Sequence, residues 1–98
     1  MLVKLIEVIK NTSTNGKFEY KMNEVYVNPE NIVNIRENPT LNILCQEGSL
    51  PWPDLNKQSV FSTITLNSGG MSEVVMVAGS PGQIQEKCFA TRKQLLRG

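Results

Sequence analysis

Apolar and polar residues alternate along Phe18–Val27, and the alternation slips once. Phe18, Tyr20 and Met22 take the even positions between Glu19, Lys21 and Asn23, after which Val25 and Val27 take odd ones. Strict alternation marks a strand with one face buried. A slip of one residue turns every later side chain to the other face. The pattern therefore predicts a strand over 17–27 with a β-bulge near Asn23-Glu24 that absorbs the slip. Asn28-Pro29-Glu30-Asn31 comes next as a hinge, because proline fixes φ and has no N–H to give to a ladder. Ile32–Arg36 resumes as the next strand. Bulged, strongly bent strands of this kind curl a short sheet into a small open barrel.

The rest of the chain fits a mainly β domain of five antiparallel strands and one C-terminal helix. Leu2–Ile9 is apolar at both parities, so it reads as a strand covered on both sides, the second cover being another subunit. Asn11–Gly16 is a polar turn ending in Asn-Gly, a strong hairpin signal. After Asn38-Pro39, Leu41, Ile43 and Leu44 make one helical turn closed by Gly48, inside a long connection that runs to Ser59. Within it Trp52, held between Pro51 and Pro53, is expected to pack over one end of the barrel. Val60–Leu66 and Glu73–Ala78 are the last two strands, joined by Asn67-Ser68-Gly69-Gly70, and the continuous apolar run Val74–Val77 again implies cover on both faces. Ser80-Pro81-Gly82-Gln83 is a capping box with proline at the first helical position, predicting a helix from Pro81 to about Leu96. Ile84, Cys88, Thr91 and Leu95 form one narrow stripe on it, with Phe89 and Leu96 on a second face.

Composition narrows the function classes more than it selects one. The 98 residues make a single domain over 1–98, able to bury roughly 60–68% of its unfolded surface without a metal or disulfide staple. A net charge of +1 supplies no global basic field. Two cysteines without CxxC spacing read as reduced thiols of a cytoplasmic protein. The segment MLVKLIEVIK is too short and too charged for a signal peptide or membrane span. With no histidine, a Ser-His or Cys-His nucleophile and a histidine metal site are excluded. The nine carboxylates are scattered without an acid–base pairing, so neither an enzyme nor a cofactor is expected.

The stretch Gly16-Lys17-Phe18-Glu19-Tyr20-Lys21-Met22-Asn23-Glu24-Val25-Tyr26 resembles the first signature of the Sm and LSm proteins, roughly G-x-F-D-x-aromatic-M-N-x-V-L. Phe18, Met22, Asn23 and Val25 match, and Glu19 replaces the acid. Lys21 stands where an aromatic is usual, the second signature falls on Val77-Ala78-Gly79 without its arginine, and the helix comes after the barrel instead of preceding it. As a whole the chain is similar to small Sm-like proteins of presumed marine cyanophage origin, which would place it in the cytoplasm of a bacterial host. The resemblance implies a five-stranded bent-sheet barrel, a homo-oligomeric ring, and RNA bound around the pore.

Aligning on the signature puts Glu19, Lys21 and Asn23 in the RNA-facing loop, whereas the hydrophobic pattern makes Asn28–Asn31 the loop. On the pattern, the expected nucleic-acid-binding residues are Tyr26, Asn28 and Asn31, with Asn67 and Ser68 from the other hairpin. A basic face of Lys87, Arg92, Lys93 and Arg97 on the helix is the alternative, although positive charge there also complements the helix dipole. The expected function is an Sm-like ring that binds single-stranded RNA or DNA by stacking and amide hydrogen bonds. A small β-barrel adaptor or virion component that binds only protein is the other reading.

Overall fold

The structure is a computed structural model that describes residues 1–12, 15–16 and 18–97, the side chains only as far as Phe89. Five strands and two helices run in the order β1 (Val3–Thr12), β2 (Phe18–Val27), a 3-10 turn (Pro29–Asn31), β3 (Ile32–Glu37), α1 (Pro39–Gln46), β4 (Phe61–Ser68), β5 (Met71–Ala78) and α2 (Pro81–Arg97). The strands form one open antiparallel sheet in the order β2-β1-β5-β4-β3. The outer edges of β2 and β3 close on no other strand among the described residues.

The expected bulge at Asn23-Glu24 is absent. The β1–β2 ladder runs without a break from Val3↔Val27 to Thr12↔Phe18, with Asn23 opposite Glu7 and Glu24 opposite Ile6. The face that is covered changes along β2 instead. Tyr20 and Met22 pack with Val8, Leu41, Cys45, Leu50 and Phe61 on one side of the sheet. Val25 and Val27 pack with Leu5, Ile64, Val75 and Val77 on the other. Since side chains alternate with period two, a regular strand that passes from one core to the other produces the same slip in apolar phase as a bulge. A register shift does occur elsewhere, in β3 between Ile32 (opposite Leu66) and Asn34 (opposite Thr65). It leaves Val33 61% exposed.

Cover on both faces is partial in β1 and β5. Leu5 and Val8 are buried in opposite cores, but Leu2 lies outside β1 and is 62% exposed. In β5, Val75 and Val77 face one core while Met76 and Ala78 face the other, and Val74 is exposed.

Helix α1 is longer than the single turn expected. Asn38 caps it by accepting the Leu41 N–H at 3.0 Å, and Pro39 occupies the first turn, where its missing donor costs nothing. The Asn38 Nδ2 also donates to Thr63 Oγ1 at 3.1 Å, tying the helix start to β4. Leu41 and Cys45 then meet one core, four residues apart on one face. The connection after α1 adds Leu50, Trp52 and Leu55 to that core, and the Cys45 Sγ donates to the Asn56 carbonyl at 3.3 Å. Trp52 is half-buried against this core, which lies on one face of the open sheet.

Helix α2 covers the opposite face through Ile84, Cys88 and Phe89. Its capping box forms: the Gln83 N–H donates to Ser80 Oγ at 3.2 Å and the Ser80 N–H to Gln83 Oε1 at 2.9 Å. The turn into it depends on Gly79, whose φ of +118° disfavours any side chain. A Cβ there would stand 3.0 Å from Ile84 Cδ1. The Gly79 carbonyl accepts the buried Ser62 hydroxyl at 2.7 Å, which locks this junction to β4. Thr91, Leu95 and Leu96, expected on the two helix stripes, lie outside the described side chains.

Candidate nucleic-acid interface

The two turns singled out in the sequence are neighbours. Ile32 pairs with Leu66, and the 3-10 turn touches β4, so the Asn28–Asn31 corner sits beside the end of β4 that carries Asn67 and Ser68. Asn67 and Ser68 are the last residues of β4, opposite Ser72 and Met71, and the turn itself is Gly69-Gly70. Both are exposed. Tyr26 lies on the β2 segment leading into the corner and is 58% exposed.

The asparagines of the corner are engaged in building it. Asn28 Oδ1 accepts the Glu30 N–H at 3.0 Å, and the Asn31 N–H donates to the Asn28 carbonyl at 2.9 Å. Both residues are half-buried. This is the ordinary use of Asn in turns, and it fixes the position of whatever the corner presents. The cap uses one lone pair of Asn28 Oδ1 and neither of its Nδ2 donors.

Two cross-strand juxtapositions were not legible in the sequence. Lys4 stands directly across from Tyr26 in the β1–β2 ladder, which puts a cation and an aromatic ring side by side on one face. Phe18, expected to be apolar packing, is 58% exposed, and the Lys10 ammonium lies 3.8 Å from its ring centroid. Both depend on cross-strand register, which a run of residues does not display.

Of the alternative basic face, Lys87 is exposed on α2, while Arg92, Lys93 and Arg97 lie outside the described side chains. Glu19, Lys21 and Asn23, which the signature alignment put in a loop, are in mid-strand on β2, as the hydrophobic pattern required. Cys88 is buried beside Lys87; burial pushes its thiol pKa up, and the lysine charge only partly offsets this. Among the described residues no three His, Cys, Asp or Glu side chains are grouped to hold a metal, and no helix is long and apolar enough to cross a membrane.

The chemistry on offer is therefore an exposed ring on the strand leading into the corner, with a lysine as its cross-strand partner, and amide and hydroxyl groups on and beside two adjoining turns. Such groups stack on bases and bond to their edges. No family model matches the chain, and comparison with curated proteins and with solved structures finds no match either.

Proposed function

We propose that the protein is a self-associating, Sm-like β-domain that binds single-stranded RNA or DNA at the corner formed by Tyr26, Asn28, Asn31, Asn67 and Ser68. The observation that carries this reading is the adjacency of the two turns, which brings residues 36–40 positions apart in sequence to one surface. Curling of the sheet into a bent open barrel is supported by the make-up of the larger core. It joins Val3, Leu5, Val25 and Val27 from one hairpin with Ile32, Ile35, Ile64 and Leu66 from the far side of the sheet.

Self-association is supported by the seam between β2 and β3. With five strands alternating in sense, the two outer strands run the same way. Parallel neighbours need a crossover of about a dozen residues or more, and only Asn28 and the three-residue 3-10 turn join these two. One chain cannot zip this seam, so both edges stay open to strands of other copies. Exposed Tyr26 on β2 and Val33 on β3 lie along those edges.

Size-exclusion chromatography with light scattering gives the assembly, and a fluorescence titration with oligo-U and oligo-A gives the binding. Binding is expected to fall in the pair Asn28→Ala with Asn31→Ala and in Tyr26→Ala, and to persist in Lys87→Glu with Lys93→Glu. Loss only in the lysine pair moves the site to α2. The exposed apolar residues Val33, Met71 and Val74 favour a second reading, an adaptor that binds only protein. An assembly without affinity for any single strand establishes that reading and removes the first.

A further inference from the structure

The ten asparagines differ in their C-terminal neighbours and in how firmly they are held. An asparagine amide is attacked by the backbone nitrogen of the next residue when that nitrogen can swing onto Cγ, and a side chain on the next residue obstructs the approach. Asn28 and Asn38 precede proline, which has no N–H to become a nucleophile. Asn42 is 9% exposed, and its amide is held at both ends, by the Phe61 N–H and by Glu37 Oε1. Asn11, Asn23, Asn34 and Asn67 belong to paired strands, whose ladders fix the backbone. Asn31 precedes the β-branched Ile32, and Asn56 precedes Lys57 with its Oδ1 already accepting the Gln58 N–H.

Asn15 stands apart. It is exposed, it lies between β1 and β2 where no ladder holds it, and it alone precedes glycine. Gly16 has φ +76°, and apart from its two chain neighbours no described heavy atom stands within 4 Å of where its Cβ would be. With no side chain of its own, Gly16 puts the least possible bulk beside the nitrogen that must move.

We propose that Asn15 is a site of spontaneous intramolecular deamidation, the dominant one in the chain. The Gly16 backbone nitrogen loses its proton to solvent and attacks Asn15 Cγ. A new C–N bond closes a cyclic imide, the Cγ–Nδ2 bond breaks, and the amide nitrogen departs as ammonia after taking protons from water. Water then opens the imide. Attack at the side-chain carbonyl leaves aspartate, and attack at the backbone carbonyl leaves isoaspartate, with the main chain rerouted through the side-chain methylene. One neutral amide becomes a carboxylate, which takes the formal net charge from +1 to zero.

The product alters the tip of the hairpin and leaves its base alone. Thr12 and Phe18 form the last pair of the β1–β2 ladder, so a lengthened connection acts first on them and on the Lys10–Phe18 ring contact. Deeper in the hairpin, Val8, Tyr20 and Met22 are anchored in the core with Phe61. Aged protein is therefore expected to be more acidic, changed around Phe18, and as stable as fresh protein.

The test ages the full chain in mildly alkaline buffer at physiological temperature and tracks it by anion exchange, peptide mapping by mass spectrometry, and isoaspartyl methyltransferase labelling. An acidic species should accumulate faster as pH rises, with the amide-to-acid mass change and the methyl label on the peptide containing Asn15-Gly16. Asn15→Gln should remain a single species over the same period, and Asn15→Asp should co-elute with the aged form and melt with the unmodified chain. An acidic species that forms equally fast in Asn15→Gln, or that maps to Asn56 or Asn67, overturns the proposal. So does an aged chain in which Asn15 is intact.

Discussion

Asn42 holds α1 to the sheet through a single buried amide, and its removal has a calculable cost. Its Oδ1 accepts the N–H of Phe61, a residue with no exposed surface, at 2.7 Å. Its Nδ2 donates to Glu37 Oε1 at 3.0 Å. In Asn42→Ala the Phe61 N–H keeps its burial and loses this acceptor. Stranding a buried donor costs about 1–3 kcal/mol. The Glu37 contact adds little, since that carboxylate is exposed and water replaces the lost donor. For a domain of this size such a loss lowers the melting temperature by on the order of 10 °C. Urea unfolding monitored by Trp52 fluorescence measures it, because Trp52 packs on the same core. Asn42→Asp separates the two bonds: it keeps an acceptor for Phe61 but faces Glu37 with a second carboxylate. It should be destabilised at neutral pH and recover when combined with Glu37→Gln. An Asn42→Ala variant within about 0.5 kcal/mol of the parent, the range of an ordinary surface change, refutes the reasoning.

Other outcomes are expected for α2, for Cys88 and for the corner. Ser80→Ala removes the cap of α2 and should cost about 1 kcal/mol in urea unfolding. Ile84→Ala, at a site 2% exposed in the larger core, should cost about 2–5 kcal/mol, and truncation after Gly79 should leave no cooperative unfolding transition; an unchanged melt would show α2 to be dispensable. The folded state holds the Cys88 proton more tightly than the unfolded chain, so stability from this source is complete below the ordinary thiol range and is lost as pH climbs through the raised value. Urea midpoints measured against pH should fall less steeply on the alkaline side in Cys88→Ala. In salt titrations of oligonucleotide binding, the slope of log affinity should be shallow for a corner that binds by stacking, and a steep slope would instead point to the lysine- and arginine-bearing helix.

The features legible in the sequence are those that short-range chemistry decides. The capping box at Ser80–Gln83 formed with both of its bonds because its partners are three residues apart. The hinge at Asn28–Asn31 was readable because proline at its second position permits little else. The bulge assigned to Asn23-Glu24 failed for a different reason. A strand that serves two cores and a strand that slips register produce the same apolar pattern, and only the partner strand distinguishes them. The true shift, at Val33, is silent in the sequence because Ile32, Val33 and Ile35 suit either register. Asn42 gave no signal, since its use depends on Phe61, nineteen residues away. In the candidate interface, each turn could be read separately, whereas their adjacency, and the placing of Lys4 beside Tyr26, come only from strand pairing.

The division of the interior into two cores governs how the molecule comes apart. Strand β1 places Leu5 in one and Val8 in the other; β2 divides Val25 and Val27 from Tyr20 and Met22; β4 divides Ile64 from Phe61; and β5 divides Val75 and Val77 from Met76 and Ala78. No boundary can be drawn that lets one core open while the strands of the other stay paired, so the two halves lack separate melting free energies. Hydrogen exchange should report this as one shared protection ceiling for the amides of β1, β4 and β5.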